Sequence, residues 1–353
     1  MKKILIALTT SLLLFQGAHA QSKVEQPSTV KAQDQLKPEL NAAAVAELEE
    51  AKRLSLTVVK LYGEGKYDEA LKPARRALEI REKILGPDHE LVTSAVGNLA
   101  SVYMSLGDFK EAEPLYQRLL PEYEKQNGAE SQVIAQMLEV LAFLRYTKAD
   151  KAKAEEYYQR ALAIREKLSG PMSQEVAQTL YNLAEFYQAT ENFKKAEPLY
   201  QRALAIREIK SGETDSKTVD VRERYACLLR KTDRSKEAEA LQTRGVVGPS
   251  STGNEKDNGK KGSIEGGVLN GKALNLPAPR YPPEASALHV HGTVAVLVTI
   301  NEEGRVIRVC ALSGPAPLWR ASEGAAARAI FTPTRLSGQP VKVMGVIHYN
   351  FVR

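Results

Sequence analysis

The stretch Glu197-Pro-Leu-Tyr-Gln-Arg-Ala-Leu-Ala-Ile-Arg-Glu208 is nearly duplicated by Glu155-Glu-Tyr-Tyr-Gln-Arg-Ala-Leu-Ala-Ile-Arg-Glu166, 42 positions earlier. Glu113-Pro-Leu-Tyr-Gln-Arg-Leu-Leu120 starts another 42 positions back and diverges at Pro121, and a looser copy ends Arg76-Ala-Leu-Glu-Ile-Arg-Glu82. Single columns keep the same register: Ala70, Ala112, Ala154, Ala196 and Ala238, and likewise Gly86, Gly128, Gly170 and Gly212. A fixed period without insertions over five units predicts one supersecondary unit stacked on copies of itself.

Each unit reads as helix, tight turn, helix, loop. In the second, Val96, Leu99, Ala100 and Tyr103 form an apolar stripe at helical spacing. Leu106-Gly107-Asp108-Phe109 breaks it, with Gly107 suited to the left-handed conformation. Ala112, Tyr116, Leu119 and Leu120 begin the partner helix's stripe. Small Ala100 and Ala112 allow two helix backbones to approach, and tyrosines fill the wedge beside them. One hairpin cannot bury its own apolar faces; stacked neighbours can, giving a curved array with a concave side. The first unit departs from the pattern with Thr57-Val58, and the fifth stops at Arg244.

These columns resemble the tetratricopeptide repeat, whose signature positions are matched by Leu183-Ala184, Tyr187, Phe193, Ala196, Tyr200 and Ala203. The usual period is about 34 residues. The longer unit here, ending in Ile84-Leu85-Gly86-Pro87-Asp88-His89, resembles the kinesin-light-chain type. The resemblance implies a concave groove for extended peptides and other proteins. Opposite the apolar stripe of each first helix lie Asn98, Ser101 and Ser105, then Val140, Phe143 and Thr147, then Asn182, Glu185 and Ala189, then Arg224, Cys227 and Lys231. Asn98 and Asn182 share a column in which the related repeats use asparagine to hold a peptide backbone, because an amide donates and accepts at once. The candidate groove is therefore Asn98, Ser101, Phe143, Tyr181, Asn182, Glu185 and Arg224, with Phe143 and Tyr181 adding apolar contacts.

Ahead of the array, Met1 to Ala20 reads as a secretory signal peptide: Lys2-Lys3, an apolar run from Ile4 to Phe15, then Ala18-His19-Ala20 before the cut. The apolar run is shorter than the roughly 20 residues of a membrane span, and an uncleaved anchor is the alternative. Residues 21–41 read as a polar, disordered lead-in, 42–244 as the solenoid, and 245–263 as a flexible linker.

A second module runs over 264–353. Thr293 to Ile300 is a β-branched strand, Asn301-Glu-Glu-Gly304 a turn, Val306 to Leu312 the returning strand, Leu318 to Ile330 a helix and Val341 to Val352 a third strand. The fold class is thus mainly α, a helical-hairpin solenoid followed by a small α+β domain of β-β-α-β order. Tyr281-Pro-Pro-Glu-Ala285, Gly292-Thr-Val294, Val298-Thr-Ile300, Glu303-Gly-Arg-Val306, Ala329-Ile330-Phe331-Thr-Pro333 and Gly338-Gln-Pro-Val341 through Tyr349-Asn-Phe351 resemble the blocks of the TonB-family C-terminal domain. That resemblance implies docking by strand addition, here along Val341, Val343, Gly345, Ile347, Tyr349 and Phe351, since a free margin offers unpaired N–H and C=O groups. The namesake's membrane helix and proline-rich spacer are replaced by the repeats, so binding rather than force transmission is expected.

The remaining chemistry is sparse. Net charge is +6, two less without Lys2 and Lys3, with no basic stripe for nucleic acid. His289 and His291 share a strand-like face but have no third ligand nearby, and read as loop residues. No phosphate loop, nucleophile elbow or Cys–His pairing occurs. Cys227 and Cys310 match no metal or redox spacing and read as two unrelated thiols, an inter-domain disulfide being the alternative. The expectation is a non-enzymatic adaptor of the periplasm, without cofactor, metal or small-molecule substrate. Its partners are envelope proteins or peptides, outer-membrane transporters among them, and a homodimer is allowed by the open strand margin. The alternative is an anchored component of outer-membrane transport energisation; an enzyme working through Glu185 or His289 is the remote third reading.

Overall fold

The structure, a computed structural model, describes residues 41–243, 264–269, 273–282, 285–286 and 289–352. The signal segment with Ala18 and Ala20, nearly all of the lead-in, and the linker lie outside them. Among the described residues ten helices come first: α1 (Ala42–Gly63), α2 (Tyr67–Leu85), α3 (Glu90–Leu106), α4 (Phe109–Asn127), α5 (Gln132–Thr147), α6 (Lys151–Ser169), α7 (Gln174–Ala189), α8 (Phe193–Ser211), α9 (Ser216–Lys231) and α10 (Ser235–Thr243). Then follow β1 (Ile264–Val268), β2 (Ala273–Asn275), β3 (Gly292–Ile300), β4 (Val306–Ser313), α11 (Ala316–Ala326), β5 (Ile330–Phe331), β6 (Arg335–Leu336), β7 (Gln339–Pro340) and β8 (Val343–Phe351). The fold is a repeat solenoid followed by a strand-containing domain, as the sequence pattern predicts. The chain divides into two compact bodies between Leu168 and Ser169, so α7 to α10 belong with the strands rather than with α1 to α6.

The 42-residue register is visible as physics in every hairpin. Ala70, Ala112, Ala154, Ala196 and Ala238 are each 0% exposed, so none could carry a larger side chain without parting two helices. Val58 stands in the column of Ala100, Ala142, Ala184 and Ala226 and is also buried. The first helix of each later unit is capped at a fixed position: His89, Ser131, Ser173 and Asp215 accept hydrogen bonds from backbone N–H groups of the first turn. The tight turn also repeats. Gly65, Gly107, Ala149, Glu191 and Asp233 all take the left-handed conformation, with φ between 59° and 85°.

Only glycine does this without a Cβ penalty of roughly 1–2 kcal/mol, partly offset by glycine's greater chain entropy. Ala149 is exposed and loses no packing on replacement. Ala149→Gly is expected to stabilise the first body by about 0.5–1 kcal/mol, read as a higher urea midpoint; an unchanged or lower midpoint would refute the strain at this turn.

In the terminal domain the main sheet has the order β1-β8-β3-β4. β3 pairs antiparallel with both β4 and β8. β1 pairs parallel with β8 from Val343 to Val346. Helix α11 packs on β3 and β4, and the core comprises Val294, Val296, Val298, Ile300, Leu318, Ala325, Phe331, Ile347, Tyr349 and Phe351.

Two expectations are corrected here. β8 is interior rather than marginal over Val343 to Val346, because Ile264–Val268 precedes the predicted β-β-α-β unit and adds a strand. Gly345 makes room for it: a Cβ there would lie 2.7 Å from the Gly267 carbonyl oxygen. The two cysteines are not free thiols. Cys227 on α9 and Cys310 on β4 form a disulfide with their Cα atoms 5.5 Å apart.

Candidate functional site

The second body brings three of the groove candidates, Tyr181, Glu185 and Arg224, together, and against an unexpected neighbour. On α7, Tyr181 and Glu185 lie one turn apart; on α9, Arg224, Cys227 and Lys231 do the same. Facing them are β4 and α11 of the chain's own terminal domain. Arg320 on α11 donates to Glu185 Oε2 at 2.9 Å and to Tyr181 Oη at 3.0 Å. Tyr200 donates to Glu185 Oε1 at 2.5 Å, and Tyr181 donates to Asp220 at 2.9 Å. Arg224 grips Glu323 with both forks, at 3.0 and 2.7 Å. Glu323 Oε1 also accepts the Ala311 backbone N–H at 2.8 Å. The Lys231 ammonium sits 3.5 Å from the centre of the Trp319 ring, and Trp319 donates to the Gly314 carbonyl at 2.7 Å.

Burial sets the electrostatics. It pushes the Glu185 carboxyl up, against the lowering effect of Arg224 and of the Tyr200 hydroxyl. It would do the same to Glu323, but Arg224 and the Ala311 N–H together hold that carboxyl below its usual range. Lys231 is pulled down to about 8, because burial outweighs the carboxylates of Glu323 and Glu185. A lysine depressed from 10.5 to about 8 binds fewer protons folded than unfolded between those values. Stability therefore rises with pH across that window, and below it the buried cation is a net cost. Lys231→Met is expected to raise the urea midpoint at pH 7 and to remove this residue's rise between about pH 8 and 10. The wild-type-minus-variant difference isolates it, and a flat difference would show that Lys231 is solvated.

Asn182 is buried, accepts from Gln178 at 3.0 Å, and leaves its Nδ2 without a partner. In the first body Asn98 is buried, Ser101 bonds back to the Gly97 carbonyl at 2.9 Å, and Phe143 packs edge-on against Phe109 with centroids 5.1 Å apart. Ser101 thus serves its own helix, and Phe143 packs its hairpin onto the preceding one. Of the strand residues, Val343, Gly345, Ile347, Tyr349 and Phe351 are buried on one face, and Val341 lies before β8, its N–H donating to the Thr334 carbonyl. On the β1 side, no described residue pairs with Ile347 to Phe351. The His291 Nδ1 lies 3.0 Å from the His289 carbonyl oxygen. Among the described residues no group of three or more His, Cys, Asp or Glu side chains could hold a metal. The residues that sequence reasoning missed are Trp319, Arg320 and Glu323. The available signal was the presence of one cysteine in each module.

A helical repeat scaffold with a small sheet domain seated against its last two hairpins is the class that fold and site define. Residues 91–167 and 175–246 match the tetratricopeptide repeat model, as do residues 61–90 with a second model of that repeat, and residues 277–352 match the Gram-negative bacterial TonB protein C-terminal. The chain is a tetratricopeptide-repeat array carrying a TonB-type terminal domain. Both families are protein-binding scaffolds rather than catalysts, and the second belongs to the Gram-negative envelope. Nephrocystin-3 from Homo sapiens and from Xenopus laevis are each 45% identical over 53 residues, 15% of this chain and 4% of theirs. The chain thus matches a small fraction of those curated relatives. Among solved structures, BtubC (BKLC) from P. vanneervenii aligns at 23% identity over 65% of this chain and 99% of its own, TM-score 0.47. The nearly identical TPR-like repeats of a kinesin light chain from Podosopora anserina align at 19% identity over 54% of this chain and 90% of theirs, TM-score 0.47. No helix among the described residues is long and apolar enough to cross a membrane.

Proposed function

We propose that this chain is a non-enzymatic adaptor of the periplasm, exported through a cleaved signal peptide, that holds protein segments in two ways. The repeats take protein segments at their buried asparagines, Asn98 in the first body and Asn182 in the second, and the terminal domain takes another by strand addition beside Ile347 to Phe351. The observation that carries this reading is Asn182: a buried amide whose Nδ2 has no acceptor, in the column shared with Asn98. A buried unsatisfied donor costs roughly 1–3 kcal/mol, and a bound backbone carbonyl would recover it. The open stretch of β8 supports the second mode, because its N–H and C=O groups are matched on the β3 side alone among the described residues. Two weak contacts on one chain reinforce each other through effective concentration.

The test uses the full chain with a photoreactive side chain at Asn98, at His348 or, as control, at exposed Lys110, illuminated in a Gram-negative envelope. Distinct protein adducts at Asn98 and His348, absent at Lys110, are expected. Adducts confined to the chain itself would overturn the adaptor reading.

A further inference from the structure

We propose that the terminal domain is a cover over the groove of the last two repeats, sealed by ion pairs and locked by the Cys227–Cys310 disulfide, so that a dithiol reductant controls access to that groove. This deepens the adaptor reading and rests on it, since it concerns when one part of the same groove is open.

Three observations converge. The covered side chains are those which the repeat pattern assigns to the concave face: Glu185, Arg224, Cys227 and Lys231. The covering helix answers them charge for charge. Arg320 meets Glu185, Glu323 meets Arg224, and the Trp319 ring meets Lys231. An uncovered groove would present an acid beside two bases, suited to a helix that carries an arginine and, three residues later, a glutamate. Finally, the lock is sealed inside the contact. Cys227 and Cys310 are 2% and 3% exposed, so no thiolate reaches either sulfur until the charged pairs part.

The chemistry balances as thiol–disulfide exchange. A thiolate of the dithiol attacks one protein sulfur, the Cys227–Cys310 bond breaks, and a mixed disulfide forms. The second thiol of the reductant displaces the remaining cysteine. Two protein thiols result, the reductant leaves as its cyclic disulfide, and two electrons have passed to the protein. Without the lock only the non-covalent contacts hold the cover, and the closest of them, Arg224–Glu323 and Arg320–Glu185, depend on desolvated charge, which water replaces on opening.

Trp319 is the only tryptophan in the chain and lies in the contact, so its emission reports the state of the cover. Native full-length protein is treated with dithiothreitol, and reduction is followed by thiol titration alongside that emission. Reduction of the wild type is expected to be at least ~10-fold slower than in urea, because opening must come first. Arg224→Glu should accelerate it, and adding Glu323→Arg should slow it again. A wild-type rate equal to the rate in urea, or no effect of Arg224→Glu, would overturn the seal. The C227S/C310S chain is then compared by hydrogen exchange. Faster exchange in α9 and α11 with unchanged protection of β3 and β8 is expected. Protection of α9 as in the wild type would mean a permanent cover, and loss of protection in β3 and β8 would mean a plain structural staple; either result overturns the lock. None of these readouts requires a partner, so failure here is distinct from failure of the adaptor reading.

Discussion

Glu323→Ala is expected to destabilise the second body by about 3–5 kcal/mol, the largest effect of any single side chain in the contact. The size follows from what is left behind. Glu323 is 3% exposed and satisfies three donors, two on Arg224 and one on the Ala311 backbone. Its removal strands a guanidinium that is itself mostly out of water, and orphans an amide at the sheet's edge. Replacing the pair together, as Arg224→Met with Glu323→Met, should cost less than the single change, because no uncompensated charge remains. Urea unfolding followed by Trp319 emission measures both. A single-variant loss under about 1 kcal/mol would place the pair with surface ion pairs and deny it any part in holding the two modules together.

Gly304→Ala should cost about 3 kcal/mol or more, by a different route. Gly304 closes the turn between β3 and β4 at φ +81°. Its carbonyl accepts the Phe331 N–H at 2.8 Å, and Asn301 Oδ1 binds the Glu303 and Arg305 N–H groups at 3.2 and 2.8 Å. An added Cβ would lie 1.9 Å from the Phe331 carbonyl oxygen, a backbone atom fixed by a buried phenylalanine. Either the turn or the start of β5 must move. Gly338→Ala is the control: φ is +82° there too, but the space is open. Only the backbone penalty of about 1 kcal/mol then applies. Equal losses at the two sites would show that conformation alone, not the close approach, makes Gly304 necessary.

The same comparison of local and distant causes explains which parts of the candidate site were legible. Asn98, Asn182, Glu185 and Arg224 could be named as groove positions because a helix repeats about every 3.6 residues and the unit every 42, so the face follows from counting. That Glu185 and Arg224 are already occupied could not be counted, since their partners Arg320 and Glu323 lie 135 and 99 positions away across a segment with no pattern. The part of the strand margin that β1 covers was hidden for a related reason. β1 is a short glycine-containing segment whose place beside Val343 to Val346 depends on a bare Gly345, a long-range fit with no periodic trace.

The hairpins, their caps, their turns and the order of strands and helix in the terminal domain were set by the chain's own local rules. Small residues at fixed spacing, breakers at fixed spacing and β-branched runs act on neighbours within a few residues or one repeat away, and short-range forces write themselves into sequence as a period. Which surfaces stay open was decided by the folded molecule alone. Closing a surface takes charge and sulfur brought together from distant positions, where only the three-dimensional path of the chain determines that Cys227 finds Cys310 and that Arg224 finds Glu323.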